Sequence, residues 1–409
     1  MASAGGNVVF DTLLTDALLV DGSTVSLGVA AGRIAAIGAS LPAGREQLSL
    51  GGSLVLPGLV DAHVHLDKSL IGGPWQPHRA GKSATFSVME RVAIEAEILG
   101  RAAPVEERAA ALIELAIARG TTHMRSHVDI DPVTGLASLH AVLAVRERYK
   151  DEASIQIVAF PQRGLTSCPG TFQLMDAAMR EGADLVGGLD PSGVDHDVGG
   201  QLDAVFELAQ RHAAGIDIHL HDPAAEGLAE LDEIARRAKS LGMAGRVNVS
   251  HAYALGMVPK ADAQRTAENL AEAGVSILTN APGNHPYPSV MQLRAAGVTV
   301  IAGNDNIRDA WWPYGDADML ERAMLIAYGS GFLTDQELGV ALDLATHAAA
   351  RALGIDDYGV HVGGQADLIV VASRNVAEAV VARPIRSHVF KAGRLVAGNG
   401  KYLGRGTAT

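Results

Sequence analysis

Two histidines stand one residue apart where a short apolar segment ends. Residues 59–62 are followed directly by His63-Val64-His65. In an extended strand, residues i and i+2 point to the same side, so both imidazoles can face one point. Neutral imidazoles bind borderline cations such as Zn²⁺ and Fe²⁺. The spacing therefore indicates part of a metal site.

Further ligands have to come from other parts of the chain. His219 and Asp305 also follow apolar segments, and they would complete a set with His63 and His65 around one divalent ion. A metal ion lowers the pKa of a bound water from about 15.7 towards 7, which makes hydroxide available near neutral pH. The set predicts metal-assisted hydrolysis.

These polar residues fall where parallel strands of a barrel would end. Short β-like segments alternate with helix-like segments rich in Ala, Glu, Leu and Arg between residues 59 and 352. Eight β-then-α units predict a (β/α)₈ TIM barrel, whose active site lies at the carboxyl ends of the strands. We expect barrel strands at 59–62, 122–125, 154–160, 184–188, 216–219, 247–250, 275–278 and 298–302. We expect helices at 103–119, 200–214, 225–241, 261–273 and 334–352.

The two ends of the chain are β-rich and resemble each other. Short strands broken by turns are predicted at 7–10, 17–20, 28–30, 33–37, 53–56, 366–371 and 389–396. The fold class is therefore α/β, with a distorted TIM barrel and a small β-sandwich that both termini build. The predicted domains are the composite β-sandwich, 1–58 with 353–409, and the barrel, 59–352.

Composition restricts the partners. The chain has 409 residues, a net charge of −13 and no stretch of about 18 uncharged apolar residues, which disfavours nucleic acid and membranes as partners. Its one cysteine, Cys168, excludes a disulfide within the chain and a cysteine-rich zinc site. The first residues lack the pattern of a secretory signal, so we expect a cytoplasmic protein.

The motifs together resemble those of the amidohydrolase superfamily, and within it the cytosine deaminase-like group. They are PGLVDAHVHLD (57–67), RSHVD (125–129), FPQ (160–162), HLHD (219–222), SH (250–251), GNDN (303–306), DAWWPYG (309–315) and ML (319–320). The resemblance covers essentially the whole chain. It implies the same barrel, with a β-sandwich made from both termini.

The resemblance also implies roles for single residues. His63, His65, His219 and Asp305 would bind one metal ion, Zn or Fe, while His251 would orient the attacking water. Gln162 would hydrogen-bond a ring carbonyl or ring nitrogen of the substrate. Dinuclear members carry a bridging lysine at the end of the fourth strand, and Phe160-Pro161-Gln162 stand there instead. One metal ion per chain is therefore expected.

Two motifs depart from the cytosine deaminase pattern. The usual His-x-Asp-Glu is His219-Leu220-His221-Asp222 here, and the usual Asp-Asp is Asp305-Asn306. These motifs, with His-Leu-Asp-Lys at 65–68, are more similar to the N-isopropylammelide amidohydrolase branch. In that branch the equivalents of five residues line the substrate site: Lys68, Asp190, His221, His251 and Asn306.

We therefore expect a hydrolase that releases ammonia or a small amine from an aminated N-heterocycle of pyrimidine, s-triazine or pterin type. His251 or Asp305 would take a proton from the attacking water. The proton donor to the ring or the departing amine is left open among Asp222, His221 and Lys68. The substrate-binding residues would be Gln162, Asp190 and Asn306, with Trp312 of the Trp311-Trp312 pair stacking on the ring.

Two alternatives stay open. A cyclic-amide hydrolase of the same superfamily would usually have two metal ions and the lysine bridge. A non-catalytic scaffold should lack the metal ligands. A small-molecule substrate is the expected partner, and a homo-oligomer stays open because members of the group are often oligomers.

Overall fold

A computed structural model of the chain describes residues 9–79, 81, 88–283 and 285–404. The strands are β1 (Thr12–Leu18), β2 (Thr24–Ala30), β3 (Arg33–Gly38), β4 (Glu46–Ser49), β5 (Leu54–Pro57), β6 (Leu59–Val64), β7 (Thr121–Asp129), β8 (Ser154–Phe160), β9 (Leu185–Leu189), β10 (Gly215–Leu220), β11 (Val247–His251), β12 (Ser276–Thr279), β13 (Val300–Ala302), β14 (Leu368–Val371), β15 (Arg386–Lys391), β16 (Arg394–Gly398) and β17 (Lys401–Tyr402).

The helices are α1 (Val88–Leu99), α2 (Val105–Ala118), α3 (Ala137–Arg148), α4 (Thr171–Glu181), α5 (Val198–Arg211), α6 (Ala224–Ser240), α7 (Ala254–Met257), α8 (Lys260–Ala273), α9 (Val290–Ala295), α10 (Met319–Ser330), α11 (Asp335–Asp343), α12 (His347–Ala352) and α13 (Val376–Ala382). No helix in the described ranges is both long and apolar enough to cross a membrane.

Strands β6 to β13 form one sheet in chain order, and every neighbouring pair is parallel. The ends of the sheet meet beyond β13, where Val64 bridges Asp305 and the Asp305 backbone N–H donates to the His63 carbonyl at 2.7 Å. Strand β8 has the predicted bounds, and the other seven overlap theirs. The predicted α/β barrel is confirmed.

A second, nine-stranded sheet comes from the two ends of the chain. Strand β5 pairs antiparallel with β14, so Leu54–Pro57 join Leu368–Val371. The sheet has its own apolar cluster, with members from both ends such as Leu27, Ile34, Val370 and Phe390. Residues 7 and 8 of the first predicted strand lie outside the described residues. The domain boundaries stay a prediction.

The single helix predicted over 334–352 is wrong, because the segment is divided into α11 and α12. At the break the carbonyl of Leu344 accepts from Ala302 N–H and the carbonyl of Ala345 accepts from Val60 N–H, each at 2.9 Å. Thr346 then leaves the helical conformation, with φ −137° and ψ −105°. The helix is interrupted because barrel strands β6 and β13 take its carbonyl groups.

A buried polar network joins the terminal sheet to the bottom of the barrel. Lys391 Nζ donates to Asp367 Oδ2 at 2.7 Å and to His123 Nε2 at 3.2 Å. Burial, and the charge of Lys391, lower the pKa of His123 to about 3, so this ring is neutral and can accept the bond. Its Nδ1–H is then free to donate to Thr122 Oγ1 at 3.0 Å.

Lys391→Met should destabilise the protein strongly. The change leaves the Asp367 carboxylate buried without its ion-pair partner, and breaking a buried pair in this way costs about 3–5 kcal/mol. A clear fall in the midpoint of denaturant unfolding is expected. Lys401→Met, at an exposed position of the same sheet, is the control. Equal midpoints for the two variants would contradict the prediction.

Candidate metal centre and active site

The four predicted ligands come together at the carboxyl ends of β6 and β10 and in the loop after β13. Ligand atoms of His63, His65, His219 and Asp305 all lie within 4.8 Å of one another. Asp305 Oδ1 lies 3.5 Å from His63 Nε2 and 3.3 Å from His65 Nε2. All four residues are buried, as the position of a catalytic site in a TIM barrel requires.

The chemistry of these donors fits a divalent cation. His63 Nε2 and both ring nitrogens of His219 are buried without a hydrogen-bond partner among the described residues. Buried polar atoms are normally paired, because desolvation without a bond is costly. Burial and the charge of Lys68 lower the pKa of His65 to about 3, so its ring is neutral as a ligand must be. The cluster therefore binds metal.

Ser250 fixes the protonation of His63. Ser250 Oγ donates its proton to Asp217 Oδ1 at 2.8 Å. It can then only accept from His63 Nδ1, which lies 2.8 Å away. The proton of His63 is thereby held on Nδ1, and the lone pair of Nε2 points to the other ligands. Asp217 is a supporting residue that sequence reasoning missed.

Asp305 is held from both sides of its carboxylate. Asp305 Oδ2 accepts from Asn280 Nδ2 at 2.7 Å, which leaves Oδ1 for the histidines. Burial alone would raise the pKa of Asp305, but His251, His63 and His65 hold it well below its usual value. The carboxyl group is ionised and supplies the negative charge of the ligand set.

Three predicted site residues have left-handed backbone at strand ends. Asp190, His251 and Asp305 have φ angles of 37°, 74° and 61°. Non-glycine residues seldom adopt this region, and such strain is concentrated at functional sites. The turn of the backbone directs each side chain towards the centre of the barrel mouth.

His221 joins Asp190 and His251. Its Nδ1 lies 2.9 Å from Asp190 Oδ2, and its ring stacks on His251 with centroids 4.5 Å apart. Burial lowers the pKa of His221, but the charge of Asp190 and the hydrogen bond to it raise the pKa above the usual value. His251 is different, since burial and the neighbouring His221 lower its pKa well below the usual value.

Asp222 hydrogen-bonds the backbone of the loop after β9. Its Oδ2 accepts from Ser192 N–H and Gly193 N–H, both at 3.1 Å. Glu230 accepts from the same Ser192 N–H at 3.0 Å, and burial raises the pKa of Glu230 to about 8. Burial also raises the pKa of Asp222, with the charge of Asp190 adding to the effect. Glu230, on α6, was not found from the sequence.

Lys68 and Gln162 meet in a polar cluster beside the ligands. Lys68 Nζ lies 5.0 Å from the centre of the Phe160 ring, which stacks on the ring of His219 with centroids 4.2 Å apart. Lys68 donates to Gln162 Oε1 and lies 3.0 Å from Asp129 Oδ1. Burial would lower the pKa of Lys68, but the carboxyl groups of Asp129, Glu95 and Asp67 more than offset this effect. The pKa of Lys68 is therefore raised, and its ammonium group stays charged.

Glu95 completes this polar cluster and was missed by the sequence analysis. Glu95 Oε2 accepts from Gln162 Nε2 at 2.6 Å and from Trp311 Nε1 at 3.1 Å. Glu95 lies on α1, which the sequence analysis did not predict. The available signal was its spacing, because Glu95 falls on the same face of α1 as Val92, and a Glu on an apolar face is seldom buried unless it is paired.

The last two predicted substrate residues lie in the loop after β13. Asn306 Nδ2 donates to Asp309 Oδ2 at 2.7 Å. Asp309 Oδ1 accepts from the backbone N–H of Trp311 and Trp312 at 2.8 and 2.9 Å. Trp312 lies against Tyr314 with ring centroids 5.4 Å apart, whereas Trp311 is the indole that contacts Glu95.

Comparison with known proteins identifies the family of this chain. An amidohydrolase family profile matches residues 47–397. The chain belongs to the amidohydrolase family. It is 32% identical to N-isopropylammelide isopropyl amidohydrolase of Pseudomonas sp. (strain ADP), over 95% of this chain and 97% of that protein.

Two solved structures are similar over nearly the whole chain. N-isopropylammelide isopropylaminohydrolase from Burkholderia multivorans has a TM-score of 0.92 and 41% identity, and the match covers 96% of this chain and 99% of that chain. 5-Methylcytosine deaminase from Klebsiella pneumoniae, liganded with 5-fluorocytosine, has a TM-score of 0.83 and 28% identity, with 94% and 97% covered. The expected resemblance is confirmed. The expected enzyme class, a hydrolase that acts on carbon–nitrogen bonds other than peptide bonds, is confirmed as well.

Ser250→Ala should weaken metal binding while the fold is kept. Without the hydroxyl group the proton of His63 is no longer held on Nδ1, and loss of such a supporting bond typically costs 10–100-fold in metal affinity. Titration of the metal-free protein with Zn²⁺ measures the change. Ser240→Ala, at an exposed hydroxyl on α6, is the control. Unchanged affinity would show that Ser250 does not orient His63.

Gly303→Ala should disrupt the metal centre by geometry alone. An added Cβ would lie 2.6 Å from His63 Cβ and 2.7 Å from His63 N, where the two ends of the barrel sheet meet. We expect loss of bound metal and a lower unfolding midpoint. Gly339→Ala on α11, where a Cβ meets nothing within 4 Å, should keep both. A Gly303→Ala protein with full metal content would contradict the steric argument.

Proposed function

We propose that this amidohydrolase releases ammonia or a small amine from an aminated, oxo-substituted N-heterocycle, with s-triazines as the first class to test. The observation that carries the proposal is the pairing of a four-ligand metal cluster with the buried Lys68–Gln162 pair, one aromatic ring away. The relatives named above, which their names describe as acting on a triazine and a pyrimidine, support the same class.

The proposed cofactor is one divalent ion, Zn or Fe, held by His63, His65, His219 and Asp305. When bound, it supplies hydroxide near neutral pH for attack on the ring carbon that carries the amino group. A second ion is not proposed, because Phe160-Pro161-Gln162 stand where dinuclear relatives carry the bridging lysine. This feature also disfavours the cyclic-amide alternative.

His251 would take the proton of the attacking water. Its Nε2 is buried and has no hydrogen-bond partner among the described residues. Its low pKa keeps the ring neutral, so a lone pair is present to accept a proton. Asp305, the alternative acceptor, already has Oδ2 bonded to Asn280 and Oδ1 beside the histidines.

Hydrogen bonding favours His221 as the proton donor to the leaving amine. Lys68 is surrounded by acceptors that hold its proton, and the Oδ2 of Asp222 accepts two backbone N–H groups. His221 has Nδ1 against Asp190, which leaves Nε2 for a substrate atom. Asp190 is then a positioning residue, which orients the ring of His221.

The remaining residues would bind the heterocycle. Lys68 would donate to an oxo group of the ring, and the Gln162 amide would fix the orientation of Lys68. Asn306 is oriented by Asp309, and its amide oxygen stays available to the substrate. The indole of Trp312 would cover the mouth, since it lies in the loop that follows Asp305.

The test is a substrate panel combined with metal analysis. Purified protein is assayed for amine or ammonia release from N-isopropylammelide, cytosine and a pterin, as isolated, after chelation, and after return of Zn²⁺ or Fe²⁺. Activity on at least one ring should disappear on chelation and return with the metal. His63→Ala should lack both metal and turnover, while His140→Ala, an exposed histidine paired with Glu181, should keep both. Full activity in the metal-free His63→Ala protein would refute the proposal.

A further inference from the structure

The polar cluster beside the metal ligands contains buried carboxyl oxygens, on Asp67, Glu95 and Asp129, that have no hydrogen-bond partner among the described residues. Glu95 is 2% exposed, and its Oε1 has no hydrogen-bond partner among the described residues. The other oxygen of the same carboxylate, Oε2, accepts from Gln162 and Trp311. The protein thus holds Glu95 through Oε2, and Oε1 remains available to accept a hydrogen bond from a ligand.

The cluster has more carboxyl groups than cationic groups to pair with them. Three buried carboxyl groups, those of Asp67, Glu95 and Asp129, surround the single ammonium group of Lys68. Arg108 is close, but it donates to the backbone carbonyls of Ser69 and Ala103 at 2.6 and 2.8 Å. A ligand that brings N–H donors would pair with carboxyl oxygens left without a partner, whereas a ligand with only acceptors would leave them unpaired.

The distance between Lys68 and Glu95 defines the group that fits. Lys68 Nζ and Glu95 Oε1 are 3.9 Å apart, too far for a good hydrogen bond with each other. A donor and an acceptor at this separation can bind the two adjacent atoms of a lactam, the carbonyl oxygen on Lys68 and the ring N–H on Glu95. Gln162 cannot take the place of Glu95 as the acceptor for the ring N–H. Its amide nitrogen donates to Glu95 and Asp129, and its amide oxygen accepts from Lys68.

We propose that Glu95 is a specificity-determining residue that, together with Lys68, selects rings presenting a –C(=O)–NH– edge. The inference rests on the proposed function, because it assumes that the ring is bound between the metal ligands and this cluster. It narrows the substrate class to oxo-heterocycles with a free ring N–H. It also gives a role to α1, which brings Glu95 to the barrel mouth.

Glu95→Gln tests this role with little change in shape. Because Oε2 accepts from both Gln162 and Trp311, the amide oxygen of the substituted side chain has to take the place of Oε2. The amide NH₂ then takes the place of Oε1, so an acceptor becomes a donor that faces the ring N–H. Two buried donors that face each other are strongly unfavourable, because neither has an acceptor. Sites that recognise a substrate through buried hydrogen bonds therefore discriminate strongly against analogues that cannot form them.

The experiment compares N-isopropylammelide with the same compound methylated at its ring nitrogens. We expect the wild type to prefer the parent compound by about 100-fold in kcat/KM, in keeping with the cost of leaving a buried acceptor unpaired. Glu95→Gln should lower kcat/KM for the parent by a similar factor and leave the methylated compound nearly unchanged. Glu97→Gln, two residues along α1 with a side chain that is 59% exposed, should keep the wild-type ratio.

Binding of cyanuric acid and of its trimethyl derivative, measured by calorimetry, separates this inference from the proposed function. If the wild type releases no amine from any ring, the proposed function fails. Preferential binding of cyanuric acid that Glu95→Gln abolishes would still support the role of Glu95. Metal content and the unfolding midpoint report whether the Glu95→Gln protein is folded. If it is not folded, Glu95→Asp replaces it. The shorter side chain withdraws the carboxylate, so the preference for cyanuric acid over its trimethyl derivative should fall. An equal preference in wild type and variant, or none in the wild type, overturns the inference.

Discussion

The site depends on the closure of the barrel between β6 and the segment after β13. There the Asp305 N–H bonds to the His63 carbonyl, so that the first and last ligands of the chain are joined by one backbone hydrogen bond of 2.7 Å. Gly303 allows this approach, since a side chain there would meet the backbone of His63. The distance between ligands 242 residues apart is thus set by the backbone of the sheet. Flexible side chains alone would not fix it so well.

The second constraint is the burial of the site, which shifts the pKa values of its titratable groups. Burial makes His65 and His251 neutral, so that one can bind metal and the other can accept a proton. On the other side of Phe160, burial acts on carboxyl groups, and Lys68 remains charged only because acids surround it. The Phe160 ring lies between Lys68 Nζ and the ring of His219, so it separates the ammonium group from one of the metal-ligand candidates.

The sequence was sufficient for the fold class and the ligand set, because both follow from position along regular elements. His63 and His65 share a face of β6 by the two-residue period of a strand, and parallel strands bring His219 to the same edge. Glu95 could not be found in this way, because its role comes from tertiary contacts of an irregularly placed helix. The break between α11 and α12 was missed for a similar reason. Its cause is a pair of hydrogen bonds to β6 and β13, and not a local signal such as Gly or Pro.

Electrostatics explains why such a concentration of imidazoles favours a bound cation. The rings of His63, His65 and His219 have centroids 4.5–5.4 Å apart, and His251 lies 5.1 Å from His219. Protonating more than one of them would place like charges side by side in a low-dielectric interior, which the single carboxylate of Asp305 cannot balance. Neutral rings instead leave several lone pairs aimed at one point without donors. A divalent cation would pair with ligand atoms of His63, His65 and His219 at once, and the burial that keeps these rings neutral therefore also favours metal binding.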